Sequence, residues 1–305
     1  MNKIKGKIIF CTGGTGSFGN AVVKRLIPLQ PKKIIIFSRD ELKQELMRNE
    51  YTNPILHFII GDIRDEKAID SAIEQTKPDY LFHAAALKQV PACEIYPMEA
   101  IKTNVLGASN VINAALKHKV KRLVILSTDK AVHPINTMGM TKALMEKLMI
   151  DAANKQTDTI CCGVRYGNVL YSRGSVVPYF VSLIQKQQPL KITNPEMTRF
   201  LLTLDNAVDL VLETLVSGET GKMYIMKAPA CTIQTLAYAM CEIFDYSMRL
   251  NIVGMRTGEK IHEILEANEG EEPFTSENTK RLSIEETKDI LLTLPEIQKE
   301  LSGII

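Results

Sequence analysis

At 305 residues the chain is long enough for one large domain or two modest ones, and 45% hydrophobic content can supply a full core without covalent staples. Its 37 basic and 35 acidic residues leave a formal charge of +2, which excludes the electrostatic footprint of a dedicated nucleic-acid binder. No apolar run approaches the roughly 18 residues of a membrane span, and the short run before the first Gly-rich turn suits a strand better than a signal peptide, so a cytoplasmic protein is expected.

From residue 7 onward, β-branched runs (KIIF, KKIIIF, ILHFII, DYLFHAAA, KRLVILS, TICCGVRY) alternate with helical stretches. That rhythm predicts βαβ units and an α/β fold: a Rossmann-type, doubly wound parallel sheet with helices on both faces. Residues 1–167 are expected to form this dinucleotide-binding domain, with 201–228 packing back onto it. Residues 168–200 and 229–305 are expected to form a smaller C-terminal α/β domain that binds substrate, with helices over 175–187, 205–217, 232–244 and 284–291. Glu266 to Glu277 reads as an acidic surface loop. The six cysteines (Cys11, Cys93, Cys161, Cys162, Cys231, Cys241) show neither a CxxC pair nor metal-ligand spacing and read as reduced core thiols; no metal is expected.

The segment Thr12 to Gly19, TGGTGSFG, follows a strand and opens a helix. Gly13 permits the tight turn, Gly16 lets the backbone approach a pyrophosphate, and Gly19 allows close helix-to-strand packing; Thr15, Ser17 and Phe18 lie at the helix N-terminus, whose dipole favours the anion. An ordinary strand-to-helix turn is the bland alternative, which the βαβ context disfavours. At the end of the second strand an acidic residue binds a ribose 2′-hydroxyl and an arginine accommodates a 2′-phosphate. Ser38, Arg39 and Lys43 therefore favour NADP, while Asp40 pulls the other way. Asp62 and Ile63 after the third strand fit beside an adenine, and Ala84, Ala85 and Ala86 after the fourth are small enough to let a cofactor pass.

Strand five ends in Leu126-Ser127-Thr128-Asp129-Lys130, two ionisable groups and a hydroxyl at the carboxyl end of the sheet, where ligands of open α/β folds bind. Further on, Met138-Gly-Met-Thr-Lys142 opens a helix and places Lys142 to reach a ribose. A short-chain dehydrogenase carries a tyrosine base four residues before this lysine; here that position is Met138, which cannot exchange a proton.

These motifs, with SRDELKQ, GDIRD, HAAALKQVPACEIYPMEAIKTNVLGASNV, LSTDKAVHPIN, VRYGNVLYSRGSVVP, MTRF and GEKIHE, resemble the extended short-chain dehydrogenase/reductases along essentially the whole chain. Within these they more closely resemble the UDP-N-acetylglucosamine 4,6-dehydratase branch and look like its 4,6-dehydratase/5-epimerases of the capsular polysaccharide type. The resemblance implies that hydride leaves C4 of a UDP-sugar for NADP, that water is eliminated across C5 and C6, and that hydride returns to C6. In that scheme Asp129 protonates the leaving hydroxyl, Lys130 takes the C5 proton and Thr128 binds the sugar. Asn104 and Val169 go with the cofactor, Lys88 with cofactor or sugar, and Asn168, Arg173, Arg199, Arg256 and Glu259 with the nucleotide sugar.

Two departures stand out. Met138 leaves the proton of the 4-hydroxyl without an assigned acceptor, and only Gly270 to Glu277 joins GEKIHEILEANE to the tail TSENTKRL, where the capsular type has a longer insertion. Retention at C5, an added C3 epimerisation, or a catalytically silent NADP-binding protein remain alternatives. A homo-oligomer is expected, with Glu94 to Lys117 and Asn136 to Asn154 as candidate dimer helices because Val111, Leu144, Leu148 and Met149 extend beyond one apolar stripe.

Overall fold

A computed structural model describes residues 3–155, 158–247 and 249–303. Contacts divide the chain into two compact units, Met1–Arg165 with Asp205–Ile225, and Tyr166–Leu204 with Met226–Ile305.

The first unit is built on β1 (Ile8–Thr12), β2 (Lys33–Ser38), β3 (Leu56–Ile60), β4 (Tyr80–His83), β5 (Arg122–Leu126) and β6 (Ile160–Arg165). A seventh strand, Met223–Ile225, was not predicted. Together they form one sheet in the order 223–225, β6, β5, β4, β1, β2, β3, every neighbouring pair parallel. The expected α/β architecture is thus present: a seven-stranded, Rossmann-type parallel sheet flanked by helices. The strand order reverses between β1 and β4, where Thr12 pairs with His83; in open α/β sheets ligands bind beyond the strand ends at such a point. The inner strands β2, β1, β4, β5 and β6 are buried nearly throughout, as a sheet covered on both faces requires, whereas the edge strands β3 and Met223–Ile225 are mostly half-buried.

The helices after the first three strands begin where local chemistry favours it. Helix α1 (Ser17–Leu26) turns Val22, Val23 and Leu26 to the core. In α2 (Glu41–Tyr51) the Asp40 carboxylate accepts from Lys43 N at 3.0 Å, and in α3 (Glu66–Thr76) Asp65 does the same for Ala68 N at 3.1 Å.

The helix expected over Glu94 to Lys117 is broken. It consists of Val90–Ile95, a short turn Pro97–Ala100, a widened π-turn Ile101–Gly107 and a final helix Ala108–Lys117. Pro97 forces Tyr96 out of helical geometry, because the ring crowds the preceding residue. The expected dimer residues also need correction. Val111 and Met149 are fully buried and Leu148 packs against the same core, because both helices carry apolar stripes wide enough to meet the sheet and each other. The apolar residues left exposed there are Ile95, Tyr96, Met98, Leu106, Met140 and Leu144.

The second unit has its own core, which includes Val177, Phe180 and Ile184 of helix Val176–Gln185 and Leu236 and Met240 of helix Ile233–Ile243. Leu291 of helix Ile284–Leu292 and Ile297 of Pro295–Ser302, a helix not anticipated from the sequence, complete it. Strand Thr198–Leu202 lies between Asn168–Val169 and Ala230–Thr232. The stretch read as an acidic loop starts and ends in an antiparallel pair, Ile264–Glu266 with Phe274–Thr275. All six cysteines are free and buried, and burial pushes the Cys11 thiol up to about 12.

Candidate active site

The Gly-rich turn takes its shape from close approach. Gly13 has φ +69°, and a Cβ there would lie 2.7 Å from Ala85 N, so both the left-handed backbone and the contact with the Ala84–Ala86 strand end exclude a side chain. A Cβ on Gly19 would lie 2.4 Å from Gly13 O, which seats α1 directly on the turn. Gly16 is the N-cap of α1 and no side chain caps that end. The result is a glycine-walled cradle at a helix N-terminus, with Thr15 tied to Ser38 by a 2.9 Å hydroxyl bond and Ser17 exposed. It fits a pyrophosphate.

At the end of β2, Asp40 caps α2 and pairs with the Lys43 ammonium, so these two residues engage each other. Arg39 is more than half exposed and lies 3.5 Å from Asp62. Asp62 is gripped by Arg64 at 2.9 and 2.7 Å; burial pushes its carboxyl up, but the hydrogen bonds and charge of Arg64, with Arg39 behind it, prevail and hold it low. Ile63 is buried against Gly107. Gln44, to which no role was given, donates to Ser38 O at 2.8 Å and Ile59 O at 2.9 Å and so ties the ends of β2 and β3 together.

Beneath the turn, Thr12 Oγ1 and His83 Nδ1 lie 2.7 Å apart. Burial lowers the imidazole to about 3, so His83 is neutral. Asn104, in the π-turn, is fully buried; its amide accepts from Leu87 N at 2.8 Å and donates to Leu87 O at 2.9 Å and Thr141 Oγ1 at 3.0 Å. Asn104 therefore clamps the segment that carries Ala86 and the exposed Lys88.

The loop after β5 gathers the ionisable groups. Thr128 donates to Asp129 Oδ1 at 2.8 Å, and Lys130 Nζ lies 3.1 Å from the same oxygen. Asp129 is fully buried. The helix Thr137–Asn154 packs onto this loop through Gly139, where a Cβ would stand 2.1 Å from Lys130 O. Lys142 is buried and donates to Leu126 O at 2.7 Å; desolvation lowers it to about 8, with the Glu146 charge working against that. Met138 fills a small apolar pocket with Cys93, Ala100, Leu87 and Val90.

In the second unit, Asn168, Val169, Ser175 and Arg199 line a mainly apolar cavity. Asn168 Oδ1 and Ser175 Oγ are buried there with no hydrogen-bond partner among the described residues. Arg199 spends its donors on Thr198 O at 2.7 Å, Lys260 O at 3.0 Å and Ile261 O at 3.2 Å, with Glu263 3.6 Å away. Glu259 accepts from the backbone of the exposed Arg256 at 3.0 Å, and Arg173 is exposed.

A family model described as polysaccharide biosynthesis protein matches residues 9–285. The chain belongs to that family. Among its relatives, the protein named UDP-glucose 4-epimerase in Rickettsia akari is 49% identical over 97% of this chain and 98% of its own length, and that of Rickettsia conorii is 48% identical over the same shares. The alignment spans 338 positions against 305 residues here, so at least 33 positions face gaps in this chain. Pen from Bacillus thuringiensis is similar in structure at TM-score 0.91 and 32% identity, covering 95% of this chain and 98% of that one. The dTDP-glucose 4,6-dehydratase DesIV of Streptomyces venezuelae, solved with NAD, superposes at TM-score 0.76 over 83% of this chain and 86% of its own; at 19% identity that likeness concerns the fold alone. Relatives in Rickettsia at nearly half identity thus carry the name of a nucleotide-sugar epimerase.

Proposed function

We propose that the chain is an NADP-dependent UDP-N-acetylglucosamine 4,6-dehydratase that also inverts C5. The observation that carries this reading is the Thr128–Asp129–Lys130 cluster, with Lys130 Nζ 3.1 Å from a buried carboxyl, in a chain whose residue at the phenol position of a short-chain dehydrogenase is the buried Met138. Dehydration and C4 epimerisation both begin by oxidising C4 and need an acceptor for the 4-hydroxyl proton, which Met138 cannot be; Lys130, or a water relayed through Thr128, would take it. Elimination across C5 and C6 needs a base and an acid, which Lys130 and Asp129 supply.

The cradle of Gly13, Gly16 and Gly19 with Thr15, Ser17 and Phe18 would hold the pyrophosphate, Ser38 and Arg39 the 2′-phosphate, and Lys142 a ribose hydroxyl. When bound, the nicotinamide supplies the acceptor and donor of hydride. With the proton of the pair resting on Asp129, the neutral Lys130 amine would take the C5 proton and the Asp129 carboxylic acid would protonate the departing C6 hydroxyl, while Thr128 bonds the sugar and orients Asp129. Proton return to C5 from the opposite face inverts that centre. Asn168, Arg173, Arg256 and Glu259 would bind the UDP moiety, whereas Arg199, whose donors are taken by carbonyls, acts by holding residues 260–261. Exposed apolar residues on the helices between Ile95 and Leu144 support a homodimer.

Incubation with UDP-N-acetylglucosamine and catalytic NADP⁺ in deuterated water is the test. A 4-keto-6-deoxy product with deuterium at an inverted C5 is expected. The name borne by the Rickettsia relatives favours a second reading, 4-epimerisation of UDP-glucose; in a parallel incubation, conversion of UDP-glucose to its C4 epimer, with UDP-N-acetylglucosamine not dehydrated, would establish it and sink the first.

A further inference from the structure

One charged cluster lies buried at the carboxyl ends of β5 and β6 and is not used by the reaction as drawn. Glu146 follows Lys142 by four residues on the helix Thr137–Asn154, a spacing that puts both on one face. Its carboxylate accepts from Ser127 Oγ, from Arg165 Nε at 3.1 Å and from the Arg165 terminal nitrogen at 2.6 Å. Glu146 is 7% exposed. Burying such a pair has a large desolvation cost, recovered only with good geometry and further hydrogen bonds, and stability alone is weak grounds for keeping one. What it touches suggests another reason. Ser127 immediately precedes Thr128, Asp129 and Lys130, and the Lys142 ammonium is bonded to the carbonyl of Leu126, one residue earlier.

We propose that Glu146, anchored by Arg165, is a positioning residue that sets the Lys142 ammonium and the Ser127 exit of β5 in one arrangement. The inference rests on the reading of Lys142 as a dinucleotide ligand. Electrostatics work in the same direction. Burial favours the neutral amine of Lys142 and the Glu146 carboxylate favours the ammonium. Of the other charged or titratable groups at these strand ends, His83 on β4 feels the Lys142 charge and is neutral, Arg165 on β6 pairs with Glu146, and Asp129 and Lys130 in the loop after β5 pair with each other. Removing the negative charge should therefore release the Lys142 proton at lower pH, and removing the Arg165 cation should hold it to higher pH.

The decisive measurement is the pH titration of the Lys142 side-chain carbon by NMR of lysine-labelled protein, its signal identified by loss in Lys142→Met. Glu146→Gln should move the midpoint down by about one pH unit, and with it cause a roughly tenfold loss of NADP⁺ affinity above that midpoint. Arg165→Met should move the midpoint up. A structural role alone would lower the melting temperature of both variants and move neither midpoint, so wild-type midpoints in folded variants would overturn the proposal. Should Glu146→Gln not fold, the direction of shift in Arg165→Met decides. Protein that binds no dinucleotide at all defeats the functional reading, and the titration still judges Glu146.

Discussion

Lys130 and Asp129 do different work on one sugar, so their loss should differ in kind. Lys130→Ala should abolish deuterium incorporation at C5, and Asp129→Asn should retain exchange while elimination slows; each is expected to reduce kcat by about 10²–10⁴-fold. The check is NMR of the sugar in deuterated water alongside melting curves, since a merely structural loss would lower both rates together. Asn104 offers a sharper structural contrast. Its amide satisfies both backbone groups of Leu87 from a fully buried position, so Asn104→Ala should cost about 1–3 kcal/mol through stranded polar groups, and dinucleotide affinity should fall as the 84–88 segment loosens. Denaturant unfolding and a binding titration read the two effects separately. The sequence alone assigned Asn104 to the cofactor. Only the fold shows that its amide is spent on the backbone of a neighbouring loop, because Leu87 is 17 residues away and meets it through the π-turn.

The turn between β1 and α1 is the element on which the site depends. Gly13→Ala would place a Cβ 2.7 Å from Ala85 N on a left-handed backbone; a loss of about 1–3 kcal/mol in stability is expected, with dinucleotide binding abolished, as thermal unfolding and calorimetric titration would show. This turn was legible from sequence because its requirement is local: spacing, strand before, helix after. Glu146 was not, although its position four residues beyond Lys142 was a usable signal. A carboxylate at that spacing reads as a surface pair until the burial of Arg165 against it is known. Likewise Met223–Ile225 is too short to announce a strand; it joins the sheet because Gly163 on β6 leaves room for the Met223 sulfur, 2.4 Å from where a Cβ would stand.

At the level of the molecule, several carboxylates weight stability toward neutral pH. In Asp62 and Asp79 burial works to raise the carboxyl but hydrogen bonds and neighbouring cations prevail, and in Asp70 bonds from Lys117 and His118 lead; all three are held low. A depressed carboxyl stabilises the fold above its unfolded value, near 4, and that contribution is lost as pH falls below it. Melting temperature should therefore drop between about pH 4 and pH 2, and Asp79→Asn, which keeps an acceptor for Ile8 N but loses the titrating charge that holds Lys121 at 2.8 Å, should flatten part of that dependence. Assembly is tested separately: Leu144→Asp on the exposed helix face should turn a dimer into a monomer by light scattering while dinucleotide binding persists.

The parallel sheet, the glycine turn and the loop Thr128–Lys130 could be read from residue order, because periodicity, turn chemistry and motif spacing act over a few residues. Which residues of a wide apolar stripe are covered could not. Val111 and Met149 entered the core and Leu144 stayed outside, a division set by how two helices and a sheet pack in three dimensions. The same holds for charge: burial lowers Lys142 against the pull of Glu146, and Glu146 finds its partner in Arg165, contributed by a strand 19 residues beyond it, since desolvation is a property of the folded surroundings and not of the chain's local order.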